Sequence, residues 1–116
     1  MEHLSNPEKR YTLDDAMRVT KILASALGKK FSETLSGCYE TDPKTGKVKT
    51  IVGCWFLDYN PVYGGVVIYE MANEEGAQRA PFGYTRRPIK EFVYTVNFAL
   101  EVLNYIRYYK LKIWES

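Results

Sequence analysis

Histidine is almost absent from this chain, the single one being His3 in a polar N-terminal stretch. A histidine-based triad, a His-Cys zinc centre and a paired-histidine metal site all lack their essential group. Cysteine is nearly as scarce, with only Cys38 and Cys54. No further ligands and no Cys-x-x-Cys spacing accompany them, so they read as reduced, packed side chains rather than a metal or redox centre. Charge of one sign is lacking too. Sixteen basic and fourteen acidic residues leave a net charge of +2, too little to argue for a nucleic-acid protein or an acidic DNA mimic. No apolar run approaches the roughly 20 residues of a membrane helix. The first residues have no apolar core of the kind a signal peptide carries, so a cytoplasmic location is expected. There is no P-loop, no Gly-x-Gly-x-x-Gly and no nucleophile elbow. The expectation is therefore a protein that is not an enzyme, with no catalytic residue, metal or cofactor.

What the chain does have is aromatic surface: 15% of its residues, ten of them tyrosines. Tyrosine combines large contact area with a polar tip, which suits interfaces as well as the core of a small domain. A length of 116 residues fits one domain over 11–116 behind a flexible arm over 1–10, with a radius of gyration of roughly 13 Å if compact.

Thr12 and Asp15 form the pieces of a capping box that opens a first helix. Leu13, Ala16, Met17, Thr20, Leu23, Ala24 and Leu27 follow the helical period, widened by Val19, Ile22 and Ala26, and Gly28 suits the stop. Asp42-Pro43-Lys44-Thr45-Gly46-Lys47 carries the residues of a tight turn joining strands over about 31–41 and 48–58. Pairing Asp42 with Lys47 sets Glu40 opposite Lys49. In that register Leu35, Tyr39, Val48, Val52, Cys54 and Phe56 share the expected core face. Cys38, Ile51 and Trp55 share the other, so the two cysteines lie too far apart to bond. A third strand over 65–72 is apolar on both faces, so both are expected to be covered.

The last helix is expected to begin near Arg86–Pro88, with Thr85 as its N-cap candidate and Pro88 acceptable in the first turn. Its core stripe is Ile89, Phe92, Val93, Val96, Ala99, Leu100, Leu103 and Ile106. A second stripe, Tyr94, Phe98, Val102, Tyr105 and Tyr109, needs the first helix, the Leu111-Lys112-Ile113-Trp114 end of the chain or another subunit to cover it. A homo-oligomer, most simply a dimer, is the favoured reading. The fold expected is α+β in the order α-β-β-β-α, a three-stranded antiparallel meander with two helices packed on one face.

The candidate binding region runs through residues 63–88 and just beyond. It contains Tyr63 with Gly64 and Gly65, the corner Asn73-Glu74-Glu75-Gly76, and a basic and aromatic group of Arg79, Phe82, Tyr84, Arg86, Arg87 and Lys90. A solvated turn explains the acidic corner better than a divalent ion does. The basic group sits where helix N–H groups also favour an anion. It could hold a nucleotide or another anionic small molecule, or grip an acidic protein patch. The arginines could also simply pair with Glu74, Glu75 and Glu91 and order the loop.

Val52-Gly53-Cys54-Trp55-Phe56-Leu57-Asp58, then Tyr63-Gly64-Gly65, then Asn73-Glu74-Glu75-Gly76, then an amphipathic helix containing Glu91-Phe92 resembles a group of small uncharacterised tailed-phage proteins. The match covers roughly residues 50–103. It implies a viral accessory origin and a place in the host cytoplasm, and brings no activity with it. Composition and resemblance together point to a small accessory protein that oligomerises and binds a host or viral macromolecule, inhibition of a host defence factor being one form of this. A nucleotide or small-anion binder is the alternative, and nucleic-acid binding ranks third.

Overall fold

The computed structural model describes residues 10–115, and the side chains of residues 10–110. Residues 1–9, which make up most of the expected arm, and the side chains of Leu111, Ile113 and Trp114 lie outside the described residues.

Helix α1 (Leu13–Ala26) opens on the expected capping box, Thr12 accepting from the Asp15 backbone and Asp15 accepting from that of Thr12. It ends where Gly28 takes φ +71 and the Lys29 N–H reaches back to the Ala24 carbonyl. Six short strands follow: β1 (Phe31–Ser32), β2 (Tyr39–Thr41), β3 (Val48–Thr50), β4 (Trp55–Asn60), β5 (Gly65–Met71) and β6 (Gln78–Arg79). Helix α2 (Ile89–Glu115) closes the chain.

The class is α+β, but the sheet is no three-stranded meander. Strands β1, β4, β5 and β6 form one mixed sheet in that order, with β1 parallel to β4 and the other pairs antiparallel, while β2 and β3 form a separate hairpin. The hairpin keeps the expected register, Glu40 opposite Lys49, with the Asp42 N–H donating to the Lys47 carbonyl. The two long strands break because local hydrogen bonding competes with the ladder. Ser32 donates to the Thr34 carbonyl, and the Thr34 hydroxyl accepts from the Gly37 N–H, winding residues Leu35–Cys38 into a 3-10 turn. On the return limb Gly53, at φ +88, turns the chain between β3 and β4.

These breaks reset the alternation of faces. Trp55, expected outside, is buried, whereas Leu35, Val48 and Val52, expected inside, are exposed. The cysteines are corrected with them. Cys38 and Cys54 are fully buried with their sulfurs 3.0 Å apart, not on opposite faces.

Both faces of the β4–β5 pair are covered, as its composition suggests. One carries Trp55, Leu57, Val66 and Ile68 against Ala16, Val19, Leu23 and Ala24 of α1 and Phe92, Val93 and Val96 of α2. Each of these larger side chains contributes about 1.5–3 kcal/mol by leaving water. The other face carries Phe56 and Met71 against Cys38 and Cys54. Helix α2 is 27 residues long, about 40 Å, and outruns this core. Ile106, expected in its core stripe, is exposed, and the radius of gyration is 16.6 Å, above the compact expectation. Among the described residues no helix is long and apolar enough to cross a membrane.

Candidate functional site

The candidate site grows from the edge of β5. Glu70 and Met71 pair with Arg79 and Gln78, and Val66 pairs with Arg87. Residues 67–69 of β5 thus stand opposite residues 80–86, which bulge outward as a flap. At its far end the flap is fixed by a close approach: the Val66 and Arg87 backbones exchange hydrogen bonds of 2.9 and 3.0 Å beside Gly65, at φ +124. A Cβ at Gly65 would lie 2.0 Å from the Arg87 carbonyl oxygen, so only glycine fits there. Because Arg87 is held in this bridge, α2 starts at Ile89, just past the expected Arg86–Pro88 start. Thr85 is not its N-cap, and the Pro88 carbonyl accepts the first helical bond, from Phe92.

Two arginines anchor the flap to the sheet. Arg79 donates through Nε (2.8 Å) and Nη2 to Glu70, whose other oxygen accepts from Trp55 Nε1 at 2.8 Å with Lys29 Nζ 3.3 Å away. Burial alone would raise the pKa of Glu70. The hydrogen bonds from Trp55, Arg79 and Lys29 outweigh it and hold the carboxyl below the usual glutamate range. Arg86 pairs with the Asp58 carboxylate and donates to the Asp58 and Gly65 carbonyls. The arginines do order the loop, but through Glu70 and Asp58, not through Glu74, Glu75 or Glu91.

The remaining sequence candidates fall into distinct places. Phe82 packs edge-on against Trp55 on the helix side of the sheet, ring centroids 5.5 Å apart. Tyr84 leans on Tyr69, whose ring stacks on Phe56 on the opposite side. The flap therefore straddles the β5 edge. Lys90 lies 5.9 Å from the Tyr94 ring, and Tyr94 in turn meets Tyr11 at 5.5 Å, which covers the first member of the second stripe from within the chain. Asn73 accepts from the Glu75 and Ala77 N–H groups, closing its own turn, and the Glu74 carbonyl accepts from Thr50. Tyr63 is exposed in the β4–β5 turn. Among the described residues no group of three or more His, Cys, Asp or Glu side chains could hold a metal ion.

Between the flap, β5 and α2 lies a groove of about 500 Å³. Leu23, Leu27, Phe82, Ala99, Val102 and Leu103 contribute much of its apolar wall, and Arg87 and Thr85 stand among its few polar residues. The groove opens onto the rest of the second stripe. Phe98 is 66% exposed, Val102 39%, Tyr105 65% and Tyr109 53%. Their spacing of four, three and four residues is that of a helix-pairing seam. The groove itself could not be read from the sequence, because Leu27, Ala99 and Leu103 carry no signal beyond the helical period. The seam spacing and the lone acid Glu70 within an apolar strand were legible signals.

No protein-family model, curated protein or solved structure matches the chain, so the tailed-phage resemblance of residues 50–103 gains no support from such comparisons.

Proposed function

We propose that this chain is a non-enzymatic binding protein that pairs with a second copy of itself through α2 and offers its flap to a macromolecular partner. The observation that carries the reading is the exposed seam of Phe98, Val102, Tyr105 and Tyr109, continuous with the apolar groove. A helix gains most of its stability from packing an apolar face. Yet these side chains face outward, and Tyr105 and Tyr109, with rings of roughly 150–250 Å² each, stand on an extension that the core does not cover. The account needs only a protein surface as partner, with no reaction and no cofactor.

Binding of a nucleotide or other small anion has less to work with. Arg79 and Arg86 are committed to Glu70 and Asp58, and a +2 net charge gives nucleic acid little hold. The flap residues Phe82 and Tyr84 are of the aromatic type that anchors protein contacts. A host or viral protein is the partner we favour, and inhibition of a host defence factor is one form of such binding.

Light scattering over a concentration series tests the pairing. The mass should climb from the 13.4 kDa of one chain toward twice that value, and Val102→Arg should hold it at one chain. A wild-type protein that stays at one chain mass throughout sinks the proposal.

A further inference from the structure

We infer that the second copy lies antiparallel along α2, so that Ile106 and Tyr109 of each copy enter the groove of the other. This rests on the self-pairing proposed above and adds its geometry and the occupant of the groove.

The length of α2 decides between the two orientations. The groove ends at Leu103, while Tyr105, Ile106, Tyr108 and Tyr109 lie beyond it and are all exposed. Parallel pairing would set one extension against the other and Phe98 and Val102 against their own counterparts, so that neither extension reaches a groove. Antiparallel pairing about a two-fold axis between Val102 and Tyr105 lays each extension over the partner's groove instead. The self-complementary contacts of such an axis then follow from the numbering. Phe98 meets Tyr109 of the second copy, Val102 meets Tyr105, and Ala99, which lines the groove, meets Ile106.

Alanine at 99 leaves the room that a branched side chain from the other helix needs. The polar tip of a buried tyrosine needs a hydrogen-bond partner, and Thr85 and Arg87 among the groove's lining residues are of the type that supplies one. Antiparallel packing also opposes the two helix dipoles. With the seam exposures above and rings of roughly 150–250 Å², the seam alone would bury about 400 Å² per copy, to which Ile106, 51% exposed, and the groove wall add. That places the pair at the weak, transient edge of the interface range, so a dimer that dissociates on dilution is expected.

The test is photo-crosslinking of the full chain with p-benzoylphenylalanine at position 109, mixed with isotopically heavy chain of natural sequence and digested with trypsin. The expected product joins position 109 to residues 80–86 or 91–107 of the heavy chain. Products joining position 109 to its own counterpart in the other copy mean a parallel pair and overturn the inference while leaving the self-pairing intact. A light-to-heavy product at any other surface does the same. Absence of any such product, together with a mass of one chain, overturns both. As an independent check, Ala99→Trp fills the groove from within. It should weaken dimerisation at least about tenfold with the fold retained, whereas unchanged dimerisation contradicts the assigned occupant.

Discussion

Glu70→Gln is the sharpest probe of how the flap is held. Glu70 is 3% exposed, and its carboxylate accepts from three side chains, one oxygen taking Arg79 and the other Trp55 and Lys29. Glutamine keeps one acceptor and turns the other into a donor. Either Arg79 or the Trp55–Lys29 side then meets an N–H in place of an oxygen. Hydrogen bonds to charged groups contribute about 1.5–3 kcal/mol, and an unsatisfied buried donor costs a similar amount. Arg79 is 63% exposed and can turn to water, so its share is discounted. The expected loss is about 2–3 kcal/mol at neutral pH, near 10 °C in Tm at about 4 °C per kcal/mol for a chain of this size.

The same substitution predicts a pH signature. The folded-state pKa of Glu70 lies below its unfolded value of about 4.3. Its stabilisation is therefore complete above that value and is lost as pH falls through the lowered folded pKa. Urea unfolding of both proteins, followed by circular dichroism from pH 7 downward, should show a gap that closes only in acid. A gap below about 0.5 kcal/mol at pH 7, or one that does not narrow in acid, would refute the buried-carboxylate account.

Other substitutions separate structural from surface roles. Gly65→Ala should cost more than about 3 kcal/mol in chemical denaturation, because the new methyl meets the Arg87 carbonyl at a positive φ. Arg86→Ala should lower stability by about 1–2 kcal/mol through Asp58, whereas Arg87→Ala should change it by less than about 0.5 kcal/mol yet weaken dimerisation. Burial pushes the Cys38 thiol up to about 12, aided by the hydrogen bond to Cys54. The unfolded thiol ionises near 8.5, so its contribution is complete below that pH and declines as pH rises toward 12. Thiol titration of the native protein at pH 8 should accordingly be slow for both cysteines and become fast in denaturant, and rapid native labelling would count against their burial.

The parts of the fold set by local chemistry were legible in the sequence. The Thr12–Asp15 cap, the Gly28 stop and the turn from Asp42 to Lys47 each follow from a few adjacent residues, and the Glu40–Lys49 register follows from that turn. What misled was extrapolation of strand alternation across Ser32, Thr34, Gly37 and Gly53. Their side-chain bonds and positive φ reset which face each residue takes, which misplaced Trp55 and separated Cys38 from Cys54. The partners of Arg79 and Arg86 were hidden for a different reason. Nearness in sequence suggested Glu74, Glu75 and Glu91, but the antiparallel ladder brings Glu70 and Asp58 across instead. The α2 seam was visible as a stripe, while the groove beside it depends on the flap crossing the β5 edge, which no local pattern announces.

Sedimentation equilibrium of the natural chain beside Tyr105→Arg tests the central claim most directly. Tyr105 lies at the middle of the seam and is 65% exposed, so its replacement should leave the thermal unfolding of the single chain unchanged within about 0.5 kcal/mol. The account predicts a reversible monomer–dimer equilibrium for the natural chain in roughly the micromolar range, with the variant at one chain mass throughout. A natural chain that sediments as a monomer at every concentration, or a Tyr105→Arg chain that dimerises equally well, would contradict it.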